Sequence, residues 1–328
     1  MADREYDGLL VIGDPHLEGR TPGFRKDDYP TVVFDKLAWC LDYALNNRLL
    51  PVILGDLFDK PRDNPNWMIG RLLDLFHLHF EVLGLYGNHD VHYNPELTEH
   101  DSFSLLVKAG RIRLVDADNP WRGTIGGRSV LVGGSSYRQP IPDRLPAAFA
   151  STGDGSPLAI WLTHHDINIP GYDEGWIKPH EIEGVALVIN GHIHRRLDNV
   201  QAGNTLWVTP GNISRRTRSD ASRAHVPAAL RVDIEPRNVE LLHVEIPHRP
   251  YEEVFYEAVI AETGETGPSA FVTGLAELQA RRTASGAGLM EFLQQNVSQF
   301  EPSVADEIMV LANEVTENDK GENGNGIG

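Results

Sequence analysis

The 328-residue sequence predicts a mixed α/β domain over residues 1–250, a small, acidic and mainly helical region over 251–316, and a disordered tail over 317–328. Three observations carry this reading. Short apolar runs of strand length alternate with stretches of helical spacing through the first 250 residues. Asp, Asn and His residues recur directly after several of those runs. The formal net charge is −18, yet −11 of it lies beyond Pro250, where 14 acidic residues face only Arg281, Arg282 and Lys320.

Taken in order, residues 8–13 form a continuous apolar run that reads as a buried strand, and residues 31–47 follow with helical spacing. Residues 51–55 repeat the strand pattern and 66–80 the helical one; 81–86 is a third strand and 101–109 a shorter helix. Further strand-length runs occupy 112–115, 129–133, 158–163, 185–190, 206–209, 228–234 and 239–246. The last two are joined at 233–237 like a hairpin, so the later strands are expected to be antiparallel. Pro247-His248-Arg249-Pro250 marks the domain boundary. Beyond it, helical spacing returns at 271–282, in Leu289, Phe292, Leu293 and Val297, and in Val304, Ile308, Leu311 and Val315. The Asn/Gly-rich end has too little apolar content to fold.

Composition narrows the class. With 41% hydrophobic and 23% charged residues the chain has ordinary globular usage. A lone cysteine, Cys40, cannot form an internal disulfide and fits a reducing, cytoplasmic location. No stretch reaches the ~18 apolar residues of a membrane span, and residues 1–5 lack the basic lead of a secretory signal, so no membrane partner is expected. Net negative charge weighs against nucleic-acid binding over a broad surface, because phosphate contacts need Lys and Arg. The clustering of the acids beyond residue 250 limits that argument to the C-terminal region.

The chemistry-bearing residues fall at strand ends. Asp14 and His16 follow the first run, Asp56 the second, and Asn88-His89-Asp90 the third; His164-His165 and His192-Ile193-His194 follow two later ones. In open α/β sheets ligands bind beyond the carboxyl ends of strands, so these residues can converge. Mixed imidazole, amide and carboxylate donors suit a transition-metal pair, with manganese the best match and magnesium, iron or zinc as alternatives. Two divalent cations about 3.5–4 Å apart can hold the attacking and leaving oxygens of a phosphoryl displacement. Glycines before Asp56, Asn88 and His192 suit close backbone approach. His164 and His165 remain alternatives for one ligand.

The ordered set Asp14-x-His16, Gly55-Asp56, Gly87-Asn88-His89-Asp90, His164 and Gly191-His192-x-His194 resembles the calcineurin-like metallophosphoesterases. The resemblance covers about residues 8 to 215. It implies a four-layer α/β/β/α sandwich and two divalent metal ions. Asp14, His16, Asp56 and His194 would hold one metal, and Asp56, Asn88, His164 and His192 the other. A hydroxide bridging the two would attack. His89 would stabilise the transition state or protonate the leaving oxygen, with Asp90 orienting its ring.

Within that family, Gly55-Asp56-Leu57-Phe58-Asp59, Gly191-His192-Ile193-His194-Arg195 and Thr209-Pro210-Gly211-Asn212 look like the motifs of SbcD-type DNA repair exonucleases. The resemblance implies a DNA exo- or endonuclease. Asp59 is read either as a partner of the metal ligands or as a helix-start residue. Arg195, Arg196, Arg215 and Arg216 follow the last ligands and are candidate phosphate-binding groups, or else solvated arginines paired with carboxylates. Five tryptophans, among them Trp67 and Trp176, offer base-stacking surfaces or core positions. SbcD-type proteins carry a DNA-binding cap and a segment that docks on an SbcC-type ATPase; here only the acidic residues 251–328 follow, which counts against that partner. A homodimer is open. The alternatives are a phosphodiesterase or phosphatase for a small substrate such as a cyclic nucleotide, and a non-catalytic protein-binding scaffold of the same fold.

Overall fold

The computed structural model describes residues 5–79, 81–92, 96–146, 157–173 and 175–256. The chain divides into two compact units, Met1–Glu257 and Ala258–Gly328, and all the described residues lie in the first. The helices expected within 271–315 and the tail at 317–328 lie outside them.

In chain order the elements are β1 (Gly8–Ile12), α1 (Tyr29–Asn46), β2 (Leu49–Leu54), α2 (Asn66–His77), β3 (Leu83–Leu85), α3 (Ser102–Lys108), β4 (Arg113–Leu114), β5 (Trp121–Ile125), β6 (Arg128–Ser135), β7 (Leu158–Thr163), β8 (Leu187–Asn190), β9 (Val200–Ala202), β10 (Thr205–Val208), α4 (Asp220–Ala224), β11 (Ala228–Ile234), β12 (Val239–Glu245) and α5 (Tyr251–Val254). They build two six-stranded sheets, ordered β12-β11-β1-β2-β3-β4 and β5-β6-β7-β8-β10-β9. β1 to β4 are mutually parallel, as are β6, β7, β8 and β10. The β11–β12 pair is antiparallel, as the short 233–237 connection predicts.

Strand alternation assigns the layers. Leu9 and Val11 of β1 and Leu50, Val52 and Leu54 of β2 face inward, where they join Leu158, Ile160 and Leu162 of β7 and Leu187 and Ile189 of β8 in the core between the sheets. Leu10 and Ile12 point the other way, toward Val33, Leu37 and Leu41 of α1 and Met68, Leu72 and Phe76 of α2. Helices thus cover the first sheet. Over the second sheet, Trp161, Val188 and Trp207 are covered by connections carrying Ile167, Ile169, Ile182 and Ile193, where the resemblance implies helices. Those long connections follow the same strand ends that carry the histidines. No described helix is long and apolar enough to cross a membrane.

The sequence pattern does not predict β5 and β9. β5 carries Gly123 and buries only its end residues, while β9 has three residues and none is buried, so neither presents an apolar run. α1 presents one anomaly: Lys36 sits on its core-facing side between Val33 and Leu37 and is buried.

Candidate metal centre

The loops after β1, β2, β3, β7 and β8 converge. Backbone bonds join the first two, with His16 N–H donating to the Asp56 carbonyl and Leu17 N–H to that of Leu57, each at 2.9 Å. Asp14, His16, Asp56 and His192 all adopt left-handed backbone, with φ of 37°, 49°, 46° and 71°. Non-glycine residues rarely do so, and such strain concentrates at functional sites. Two glycines make the convergence possible. A Cβ at Gly55 would fall 2.3 Å from His164 Nδ1, and one at Gly87 would fall 2.1 Å from Asp56 Oδ1. The expected close approach is therefore toward the ligand side chains themselves.

Asp56 sits at the centre. Its Oδ1 accepts the His89 backbone N–H at 2.8 Å, while Oδ2 lies 3.5 Å from His16 Nε2 and 3.3 Å from His164 Nε2. One oxygen thus faces two imidazoles, as a bridging carboxylate would. Donor atoms of Asp14, His16, Asp56 and His194 lie within 4.8 Å of one another, and so do those of Asp56, His164 and His192. Asn88 joins the second group, its Oδ1 being 2.9 Å from His192 Nδ1. His165 turns away and places Nε2 2.8 Å from the Gln139 carbonyl.

The protonation chemistry calls for cations. His164 Nδ1 donates to the Leu54 carbonyl at 2.7 Å, so in a neutral ring the lone pair is on Nε2, aimed at Asp56. Burial opposes a charge on this ring, but the Asp56 and Asp14 carboxylates outweigh it and push its pKa up to about 9. Burial opposes the Asp56 charge too, yet His164 and His16 hold its pKa well below the usual range. Burial, reinforced by Asp56, raises Asp14 to about 7. Burial also lowers His194 to about 3 and His192 to about 4, and keeps His16 well below its ordinary value. Neutral His16, His192 and His194 beside ionised Asp56 form a donor set from which a cation need displace only the protons of His164 and Asp14. Two details fit a divalent metal pair. His16 Nδ1 and His164 Nε2 are buried without a hydrogen-bond partner, and the Nε2 atoms of His16 and His194 stand 2.9 Å apart. The Leu54 carbonyl orients His164 in the way outer partners orient metal-bound imidazoles.

The remaining site residues separate. His89 stacks edge-on against His16, with ring centroids 4.7 Å apart, and its Nδ1 lies 2.8 Å from the Asp59 carbonyl. Among the described residues no hydrogen bond joins Asp90 to the His89 ring as expected: fully buried Asp90 instead accepts the backbone N–H groups of Gly87, Phe58 and Leu57 at 2.9, 3.1 and 3.4 Å. It binds two loops together, its two oxygens being taken up by backbone N–H groups of both. Arg216 pairs with Asp59 at 2.5 Å, and Asp59 lies 3.7 Å from His16 Nδ1. Arg195 and Arg216 line an open cleft of about 360 Å³ that reaches His192 and His194. Arg196 lines a different cavity with His243, and Arg215 is buried, donating to the carbonyls of His225 and Arg249. Neither faces the cleft. Trp121, Trp161 and Trp207 are buried, whereas Trp67 and Trp176 are exposed.

Sequence reasoning misses Asp166, which lies 3.8 Å from His192 Nε2, and Asn190, whose Oδ1 accepts from Thr163 Oγ1 and from the His165 backbone. Their signal is position: each adjoins a ligand-bearing strand end.

Comparisons with known proteins bear on this geometry. The family model described as calcineurin-like phosphoesterase matches residues 9–196. A comparison with curated proteins gives no match. Among solved structures, a hypothetical protein from Thermus thermophilus is 14% identical with a TM-score of 0.41, covering 73% of this chain and 99% of its own. A conserved uncharacterized protein from Streptococcus pneumoniae, described as a predicted phosphoesterase, is 14% identical with a TM-score of 0.35, covering 75% and 93%. A 5'-nucleotidase precursor from Thermus thermophilus is 14% identical with a TM-score of 0.41, covering 73% and 54%.

Proposed function

The chain belongs to the calcineurin-like phosphoesterase family, and on that premise we propose that it is a two-metal phosphodiesterase that cleaves DNA. The observation that carries the proposal is the cleft. Besides His192 and His194 it is lined by Arg195, Arg216, Thr217, Ser219 and Ser222, guanidinium and hydroxyl groups suited to the phosphates of a backbone. The SbcD-like motifs around Asp56 and His192 support the same substrate. The acidity of the whole chain does not weigh against it, because the cleft itself carries cationic side chains.

Asp14, His16, Asp56 and His194 would hold one divalent ion and Asp56, Asn88, His164 and His192 the other, with manganese the best match to the donors. Such ions supply Lewis-acid polarisation and lower the pKa of water toward ~7. The chain's own residues do the rest. Asp56 spans both donor groups, and buried Asp90 fixes the loops that present Asp56 and His89. With Nδ1–H of His89 donated to the Asp59 carbonyl, Nε2 is the remaining nitrogen, and the ring would protonate the leaving oxygen from its imidazolium form, in which both nitrogens carry protons. Arg216, anchored on Asp59, places positive charge beside the scissile phosphate.

The test compares degradation of linear single- and double-stranded DNA, with Mn or Mg, against turnover of bis-p-nitrophenyl phosphate and cyclic nucleotides. Metal-dependent DNA cleavage is expected. Rapid small-ester turnover with DNA left intact would overturn the nuclease reading.

A further inference from the structure

A second cavity, of about 480 Å³, lies between α1 and the chain following β12. It shares no lining residue with the metal cleft; adjacent Arg215 and Arg216 face the two different cavities. Its walls hold more buried positive charge than the described residues neutralise. Arg25 is satisfied: it makes a two-pronged pair with Asp27 at 2.8 and 2.9 Å and donates to the Arg215 carbonyl at 2.5 Å. Lys36 and Arg215 are not. Lys36 is 8% exposed and has no hydrogen bond or ion pair among the described residues, and Arg215, at 9%, bonds only carbonyls. Asp35, the other acid of the lining, points to Arg71 on the surface.

We propose that this cavity is a binding site for a small organic phosphate, with the phosphoryl group held by Lys36 and Arg215 and the apolar body laid against Trp39. A buried charge is costly unless paired; Asp27 acts on Lys36 and Glu245 and Glu252 on Arg215 only through space, so two cations without an ion pair in one cavity favour a dianion. A lone phosphate would leave most of the space empty, because cavities of roughly 300–1,000 Å³ take drug-sized ligands. The apolar wall formed by Val32, Trp39, Ile246 and Val254 accepts a planar or aliphatic body. Lys36 occupies a helix position that packing alone would give to leucine. Burial, with Arg215 and Arg25 nearby, lowers its pKa to about 8, outweighing the opposite effect of Asp27.

The test uses the full, metal-loaded chain with adenosine monophosphate and inorganic phosphate as probes, reading acylation of Lys36 by mass spectrometry and binding by calorimetry. Adenosine monophosphate is expected to slow Lys36 acylation by about tenfold, because a bound dianion holds the amine in its unreactive ammonium form. Lys36→Met should lose one bound equivalent per chain while keeping turnover of bis-p-nitrophenyl phosphate. Failure of both probes to protect Lys36 would overturn the proposal, and that measurement needs no variant to fold. So would a carbodiimide cross-link between Lys36 and an acidic residue of 258–328 in the ligand-free chain, which would identify the counter-charge as the protein's own.

Discussion

The metal centre and the α1 cavity both bury charge that the described residues leave unneutralised, and they do so with opposite signs. In the first, burial removes the protons of His16, His192 and His194 and leaves His164 as the charged partner of both Asp14 and Asp56, so the missing charge is positive. In the second, the carboxylates of the lining are taken by Arg25 and Arg71, which leaves Lys36 and Arg215 without an ion pair, so the missing charge is negative. The strain differs as well. The metal centre holds four ligand candidates at positive φ, whereas Lys36 and Arg215 lie on unstrained backbone. A buried ionic imbalance reached at the cost of backbone strain points to a reacting site; one reached without strain points to binding alone.

The largest effects should come from removing the central carboxylate. Asp56→Asn keeps the shape but halves the ability of the side chain to face two cations. Metal content measured by mass spectrometry should fall, and turnover should drop on the order of 10³-fold, the scale of losing a preorganised electrostatic group. Chelation should lower the wild-type melting temperature and leave that of Asp56→Asn nearly unchanged, because ligand binding stabilises only a competent fold. Unchanged metal content in the variant would mean that Asp56 is not the bridge. Next in size is His89→Ala, expected to retain its metal and lose roughly 10²–10⁴-fold in kcat. Loss of metal would place His89 among the ligands instead.

Gly87→Ala tests whether the strain belongs to the site. Its Cβ would stand 2.1 Å from Asp56 Oδ1 and 2.6 Å from His164 Nε2, neither at the end of a flexible chain. A stability loss of about 1–3 kcal/mol is expected in chemical denaturation, together with weaker metal binding. Arg216→Lys should raise KM for DNA by about tenfold with metal content intact, because a lysine cannot keep both Asp59 and a phosphate. If Arg215→Lys gave the same KM change, the division of the two arginines between cavities would be wrong.

These residues also show what the sequence discloses. The ligand set is legible because each member sits at the end of an apolar run, and β-strand register converts that position into direction. The left-handed backbone at Asp14 and Asp56 is not legible, since no side chain announces it. Asp90 misleads because adjacency in sequence to His89 suggests contact, while the Gly87–Asp90 turn sends its carboxylate back onto backbone N–H groups. Arg215 misleads for a similar reason. The two adjacent arginines line different cavities, so Arg215 and Arg216 do not both reach one phosphate. β5 and β9 escape because edge strands need no apolar run when one face is solvated.

The smallest expected effect lies in the α1 cavity and reads its sign directly. Lys36 titrates near 8 in the folded chain against 10.5 unfolded, so between those values the unfolded state binds more protons and stability rises with pH. Below about pH 8 both states are charged and the folded one carries the full cost of burial. Lys36→Met removes that cost, so the variant should be the more stable at pH 7, and its margin should shrink as the pH is raised toward 10. Urea denaturation across this range measures the margin. Saturating adenosine monophosphate should flatten the wild-type slope by supplying the counter-charge. A margin independent of pH would mean that Lys36 is already neutralised, and the contrast between the two charged interiors would fail on the cavity side.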